Sequence, residues 1–238
     1  MADPLTHSKA VRYARVAGLL YLVIIVCAGF SEGFVRSTLV VSGDATATAR
    51  NIMQSEGLFR LGLASDLIAF MCDAVVAILL YRLLKPVSKT LSLVAASLRL
   101  IAHPAIGSLN LLNHYAALKM AGGTGALSVF EPEQMDAWAL LFMDFHSMGY
   151  LIAGAFFGLH CLLLGYLLYK SNLLPGFLGI LLAIASVGYL TESFGMLLVP
   201  AYEDIYLLMV AISAGIAELT LCLWLLIKGV RNTENARL

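Results

Sequence analysis

Six long apolar windows separate shorter polar stretches along this chain of 238 residues. Each window approaches or exceeds the roughly 20 residues that an α-helix needs to cross the hydrocarbon core of a bilayer. The first and fifth windows are apolar on every side rather than along one stripe, which is typical of helices in contact with lipid. The pattern predicts an all-α integral membrane bundle of six transmembrane helices forming a single transmembrane domain, with spans at roughly 16–35, 60–83, 90–115, 138–168, 174–198 and 205–228.

The stretch between the first two windows, about 37–58, is too polar to span a membrane. Gly43 and Asp44 favour a turn, and the Ala, Thr, Arg and Asn residues after them favour a short amphipathic helix at the outer surface. Within the third window, Pro104 removes a backbone donor, so we expect a kink beside His103.

Composition supports the same environment. Hydrophobic residues make up 61% of the chain and charged residues 13%, against about 25% charged residues in a soluble domain. The formal net charge is zero, so nothing indicates a nucleic-acid partner, and the expected partner is the lipid bilayer. The four cysteines lie singly within predicted spans without a CxxC pair, which predicts packing rather than disulfides or a thiolate metal site.

Positive charges are concentrated in alternate connections. Lysine and arginine precede the first span, separate the second from the third, and follow the fourth and the sixth, where Arg237 is the last of them. Acidic residues dominate the other connections. Because lysine and arginine accumulate in cytoplasmic loops, both termini are predicted to lie on the cytoplasmic side.

Several ionisable residues fall inside the predicted spans. A charge at the centre of a lone helix costs about 2.5–3.5 kcal/mol on insertion scales, so such side chains normally face the bundle interior. We predict that those nearest the middle of the membrane are catalytic or ion-coupling residues: Asp73, Arg99 and Glu218. A second set is predicted to bind a substrate in a polar pocket open to the outer leaflet: Arg60, Asp66, Asn110, Tyr150 and Glu192.

The cofactor is open at this level, and a divalent metal is one candidate. Two arginines, Arg60 and Arg99, face five acids in the spans, so some carboxylates must be protonated, solvated or bound to a cation. Histidine and carboxylate side chains are suitable ligands for a divalent metal. The metal hypothesis places His103, His114 and His146 around the ion, with ligands drawn from several helices because no HExxH motif is present.

Three functions compete for these residues. The first is a membrane-embedded enzyme acting on a lipid-like substrate, with or without a metal. The second is a proton- or cation-coupled transporter of small molecules, in which Asp73 and Glu218 titrate. The third is a structural or interaction protein whose buried ion pairs join Arg99 to Glu218 or Asp73, and Arg60 to Asp66.

Five segments carry a family resemblance: ARVAGLLYL at 14–22, SEGLFRLGLASDL at 55–67, LYRLLKPV at 80–87, FFGLH with LGYLLYKSNLLPGFLG between 156 and 179, and AELTLCLWLLIKG at 217–229. In order and content they resemble the bacterial domain-of-unknown-function family 4386. The resemblance implies a polytopic protein of the bacterial inner or plasma membrane and no particular activity. It also implies that Arg60, Asp66, Arg99 and Glu218 fall in family motifs.

Overall fold

The computed structural model describes residues 6–231, so Arg237 lies outside the described residues. The protein is 89% helical, and no strand occurs in the described part of the chain. Six helices are long and apolar enough to cross a membrane, which confirms the predicted all-α bundle. The cytoplasmic placement of both termini stays a prediction from the distribution of lysine and arginine.

Within residues 6–231, seven helices form the bundle, and all but the short α2 are long enough to span a bilayer. Their bounds are His7–Leu39 (α1), Ala45–Gln54 (α2), Glu56–Leu84 (α3), Lys89–Gly122 (α4), Pro132–Lys170 (α5), Gly176–Leu198 (α6) and Pro200–Lys228 (α7). The long helix α5 packs against α6, α4 and α2. It therefore borders most of the polar side chains described below.

The segment between α1 and α3 contains a tight turn and a short helix. Gly43 takes the left-handed φ of 75° that the turn needs, and the Asp44 side chain accepts a hydrogen bond from the Ala47 amide at 2.8 Å, capping α2. Ile52 of α2 is buried against Phe59 and Met143 in a small apolar cluster. The amphipathic helix thus covers one end of the bundle.

Three π-helical segments occur in the long helices of the described residues; the first two lie beside polar clusters, and the third, Trp224–Lys228, ends α7. The first, Ser31–Arg36, continues α1 beyond the predicted end of its span. The second, Ile101–Gly107, contains Pro104 and lies where the sequence predicts a kink beside His103. A π-turn holds an extra residue and reorients the side chains around it, and such turns are frequent at functional sites.

The apolar core divides into a large cluster at one end of the bundle and smaller clusters toward the other. The large cluster includes the first turns of α1 and the last turns of α3, α5 and α7. Helices meet there through small residues: Gly165 and Gly179 lie so close that a Cβ on Gly165 would stand 2.6 Å from the Gly179 carbonyl oxygen. Without a hydrophobic drive between helices in lipid, such close contacts hold the bundle together. Buried polar side chains lie between these clusters.

Candidate functional site

Asp66, His114 and His146 converge in the bundle from α3, α4 and α5. One ligand atom from each residue lies within 4.8 Å of the others. All three are buried, at 1%, 0% and 0% exposure respectively. Ligand atoms at about 2.0–2.1 Å from a tetrahedral zinc ion lie roughly 3.3 Å from one another, so the side chains would have to close by up to about 1.5 Å to share an ion.

Each histidine of this trio is held by a backbone carbonyl through one ring nitrogen. His114 Nε2 lies 3.1 Å from the Phe59 carbonyl oxygen, and His146 Nδ1 lies 3.1 Å from that of Asn110. A carbonyl oxygen can only accept, so these nitrogens carry the ring hydrogens. The other nitrogens, His114 Nδ1 and His146 Nε2, are therefore free acceptors.

Neither free acceptor has a hydrogen-bond partner among the described residues. Buried polar atoms in proteins are nearly always paired, so two unpartnered imidazole nitrogens beside one carboxylate need an explanation. Metal-binding histidines typically donate the remote N–H to a backbone carbonyl or carboxylate, which fixes the tautomer and aims the lone pair at the ion. The trio has this arrangement.

Asn110 on α4 fixes the position of His146 on α5 through two hydrogen bonds. Its side-chain amide donates to the His146 carbonyl oxygen at 2.7 Å, while its own carbonyl accepts from the His146 ring. Gly149 provides the space, because a Cβ there would overlap the Asn110 side chain. Asn110 thus orients a candidate metal ligand, and its role in binding a substrate stays a prediction.

Arg36 is the ion-pair partner of Asp66. Its Nη1 donates to Asp66 Oδ2 at 2.6 Å and to Ser31 Oγ at 2.7 Å, and its Nε donates to Glu32 Oε2 at 2.7 Å. Arg36 is 6% exposed, whereas the Glu32 side chain is 68% exposed. The π-turn at the end of α1 thus brings a guanidinium from the edge of the bundle to the buried trio.

The expected pairing of Arg60 with Asp66 is wrong. Arg60 is exposed and pairs along its own helix with Glu56, with Nη2 2.6 Å from Oε1. Residues four apart share a helix face, so this local pair forms readily at the surface. Arg60 therefore lies outside the buried cluster.

Tyr150 lies beside the trio, as a neighbour of both His146 and Arg36. Its ring meets the His146 ring edge-on with centroids 4.9 Å apart, and Arg36 Cζ lies 5.3 Å from the Tyr150 centroid. Tyr150 is half-buried. Its hydroxyl interacts with the Asp66 carboxylate, so the phenol adds a hydrogen-bond donor to the trio.

Arg99 and Asp73 form a second, fully buried ion pair at 0% and 1% exposure. Arg99 Nε and Nη2 lie 2.8 and 2.5 Å from Asp73 Oδ1. Arg99 Nη1 donates to His160 Nε2 at 3.2 Å, and His160 Nδ1 donates to the Ala95 carbonyl at 2.8 Å. Of the two partners that the sequence offered to Arg99, the structure selects Asp73.

His103 belongs to this second pair rather than to the trio. Its Nδ1 lies 3.4 Å from Asp73 Oδ2, and its ring stacks on Phe70. The expected set of three histidines therefore does not form; Asp66 takes the place of His103 beside His114 and His146. The reason is that the π-segment around Pro104 separates His103 from the regular helical register of His114.

Glu218 lies beyond Arg99, at the contact of α1, α6 and α7. Its two carboxylate oxygens accept hydrogen bonds from two tyrosine hydroxyls, one from Tyr21 at 3.0 Å and the other from Tyr189. Arg99 Cζ lies 4.7 Å from the Tyr21 centroid, which links this group to the Arg99–Asp73 pair. Glu192, also on α6, is half-buried and has no hydrogen bond within residues 6–231.

The ionisable side chains thus form two groups rather than one pocket. The metal-type group contains Asp66, His114 and His146 with Arg36; the second contains Arg99, Asp73 and Glu218 with their partners. A cavity with room for about one water molecule borders the second group and is lined by Ser92 and His160 among apolar residues. A pocket open to the outer leaflet stays a prediction.

Sequence reasoning missed Arg36, Ser31 and the tyrosines Tyr21 and Tyr189. Arg36 follows the predicted first span by one residue, and the excess of acids over arginines in the spans was the signal that another base was required. The tyrosines carried no such signal, because phenols within apolar helices are common packing residues.

The fold and these buried groups define a multi-pass membrane protein. A family model described as a domain of unknown function, DUF4386, matches residues 16–229, and the chain belongs to that family. It is similar to an uncharacterised protein of the archaeon Archaeoglobus fulgidus, at 30% identity over 162 residues, or 68% of this chain and 80% of the relative. No solved structure matches the chain.

Proposed function

We propose that this protein is a metal-dependent enzyme embedded in the membrane and that it acts on a lipid-like substrate. The observation that carries the proposal is the trio of Asp66, His114 and His146, in which two histidines hold free, buried nitrogens beside a carboxylate. Two histidines and one carboxylate form a ligand set found for zinc and for non-haem iron in enzymes.

The number of ligands favours catalysis over a structural metal. Structural zinc sites are closed by four protein ligands, whereas catalytic sites have three and leave a position for water or substrate. Within the described residues the candidate group contains three ligands. The open position is the place at which a substrate carbonyl or phosphoryl oxygen would be polarised.

Two neighbours complete a plausible reaction centre. The Arg36 guanidinium, 2.6 Å from Asp66, would supply a positive charge beside a bound ion and would stabilise negative charge that develops on a substrate oxygen. The Tyr150 hydroxyl, which interacts with Asp66, supplies a hydrogen-bond donor. Hydrolysis of an ester fits these groups: the OH of water would add to the acyl or phosphoryl centre, the bond from that centre to the alcohol oxygen would break, and the second hydrogen of water would leave on the alcohol.

The position of the trio supports a substrate that arrives through lipid. Leu67 and Phe145, the sequence neighbours of Asp66 and His146, are 44% and 48% exposed on the outer surface of the bundle. The trio therefore lies about one helix thickness from the acyl chains. A substrate with a polar head and an apolar tail matches that location.

The proposal is tested by incubating the purified full-length protein with vesicles of mixed phospholipids and isoprenoid lipids, and by following lipid products by mass spectrometry. Turnover should require added zinc or iron after chelation and should be lost in His146→Ala. His103→Ala, which removes a histidine outside the trio, is the matched control and should retain turnover.

The competing functions give different results. A proton- or cation-coupled carrier would produce gradient-dependent uptake in proteoliposomes and no lipid product. A structural ion-pair network would give neither, and its variants would alter only the yield of folded protein. Either result would contradict the enzyme proposal.

A further inference from the structure

We infer that Glu218, with Tyr21 and Tyr189, forms a second ligand site whose ligand is an exchangeable proton. The site lies at the contact of α1, α6 and α7, and it shares no residue with the Asp66 trio. It adds proton binding to the proposed metal chemistry and does not depend on it.

The carboxyl group of Glu218 has hydroxyl partners but no cationic partner. Both of its oxygens accept from tyrosine hydroxyls, which carry no charge. Within residues 6–231, no lysine, arginine or histidine forms a salt bridge with it. Hydroxyls orient a carboxylate, but they do not neutralise it.

The nearest positive charge is already engaged. Arg99 directs Nε and Nη2 to Asp73, and both side chains are about 1% exposed. Arg99 reaches the Glu218 group through Tyr21, whose ring centroid lies 4.7 Å from Arg99 Cζ and whose hydroxyl also interacts with the guanidinium. The guanidinium therefore forms its direct ion pair with Asp73 and acts on Glu218 only from a longer distance, so one cation serves two acids.

The group around Arg99 lacks one positive charge. With both acids ionised, the group sums to −1, from Arg99 (+1), Asp73 (−1) and Glu218 (−1). His160 contributes nothing, because its Nδ1 donates to a carbonyl while its Nε2 accepts from Arg99. A lone negative charge inside a membrane bundle is unfavourable, and one bound proton removes it.

Glu218 is a better place for that proton than Asp73. Asp73 faces a guanidinium that hydrogen-bonds its ionised form, whereas the partners of Glu218 also serve the neutral acid. A protonated carboxyl donates its hydrogen to one phenol oxygen while accepting from the other, since a hydroxyl both donates and accepts. The remaining titratable neighbour is the buried thiol of Cys161 on α5, which carries no positive charge.

His103 is the competing location for the proton. Its Nδ1 lies 3.4 Å from Asp73 Oδ2, so an imidazolium there would balance the same excess charge. The two possibilities differ in which side chain carries the hydrogen, and vibrational spectroscopy distinguishes a protonated carboxyl from a carboxylate.

The test is infrared difference spectroscopy of the full-length, metal-free protein in lipid bilayers, recorded between acidic and alkaline pH. The wild type should show the carbonyl band of a protonated carboxyl that disappears as pH rises. Glu218→Gln should lack this band. Tyr189→Phe, which removes one hydrogen bond and no charge, should shift the band to higher frequency. This variant tests the assignment even if Glu218→Gln does not fold.

Glu192→Gln is the matched control, because Glu192 is a half-buried glutamate on α6 without a hydrogen bond in the described part of the chain. Glu192→Gln should not remove the carbonyl band that Tyr189→Phe shifts. A spectrum unchanged by both Glu218→Gln and Tyr189→Phe would overturn the proposal. So would an imidazolium signal that is lost in His103→Ala while Glu218 stays ionised at every pH.

Discussion

Arg36 and Asp66 lie 30 positions apart in the sequence, and their side chains meet at 2.6 Å inside the bundle. Both are nearly excluded from solvent, at 6% and 1% exposure. The same carboxylate has a ligand atom of His114 and one of His146 within 4.8 Å, and each of these imidazoles has one ring nitrogen without a hydrogen-bond partner among the described residues. In the proposed site, Asp66 would be shared between the Arg36 guanidinium and a metal cation.

Arg36→Ala should destabilise the metal-free protein more than the zinc-loaded protein. Removing one partner of a buried ion pair typically costs about 3–5 kcal/mol, because the other charge is left uncompensated. Zinc at the trio would supply a replacement cation for Asp66. Unfolding by sodium dodecyl sulfate in mixed micelles, with and without zinc, measures the difference.

Arg60→Ala is the control for Arg36→Ala. Arg60 pairs with Glu56 at the exposed end of α3, and such i,i+4 pairs contribute about 0.3–0.5 kcal/mol. Its unfolding should be close to that of wild type with or without zinc. An Arg36→Ala variant that loses the same stability in both conditions would contradict the link between Arg36 and the metal.

Arg99→Leu and Asp73→Leu should each destabilise the protein by about 3–5 kcal/mol, and the double variant should recover part of that loss. Each single change leaves a charge in the interior, whereas the double change leaves none from this pair. Recovery should be incomplete, since Arg99 also contacts His160. Equilibrium unfolding of the three variants gives the coupling free energy; a double variant no more stable than the singles would contradict the pairing.

Gly149→Ala should displace Asn110 and weaken metal binding by the trio. A Cβ at Gly149 would overlap the Asn110 amide, which holds the His146 backbone, and overpacking of this kind costs about 1–3 kcal/mol. Gly57→Ala is the control, because nothing lies within 4 Å of its Cβ position. Zinc affinity that is equal in the two variants would show that Asn110 does not position His146.

The membrane fold follows from the sequence because each span is coded locally. A run of about 20 apolar residues must satisfy its backbone by forming a helix in lipid, whatever its neighbours do. The short helix Ala45–Gln54 likewise occupies the segment in which Gly43 and Asp44 indicate a turn before a short helix. These features require no knowledge of how the helices pack.

Which residues meet in the candidate site was harder to predict from the sequence. Which side chains meet depends on helix rotation, and the π-segments at Ser31–Arg36 and Ile101–Gly107 change that rotation in a way that helical periodicity does not reveal. Arg36 is brought to Asp66 and His103 to Asp73 at these two segments. Spacing therefore suggested the right residue types but the wrong groupings.

The predicted orientation, with both termini cytoplasmic, is open to a direct test. Thr90 lies at the start of α4, and Ser128 lies in the connection that follows the other end of α4. Both residues are exposed. In a variant without the native cysteines, Ser128→Cys should react with a membrane-impermeant maleimide in intact cells, and Thr90→Cys should react only after lysis. The opposite pattern would reverse the orientation.

The most direct test of the central claim is the metal content of the full-length protein, purified without chelator and measured by elemental analysis. The account predicts about one zinc or iron ion per chain in wild type and in His103→Ala, and loss of that ion in His114→Ala and in Asp66→Asn. Folded wild-type protein that binds neither metal, even after zinc or iron is added, would contradict the assignment of Asp66, His114 and His146 as a metal site.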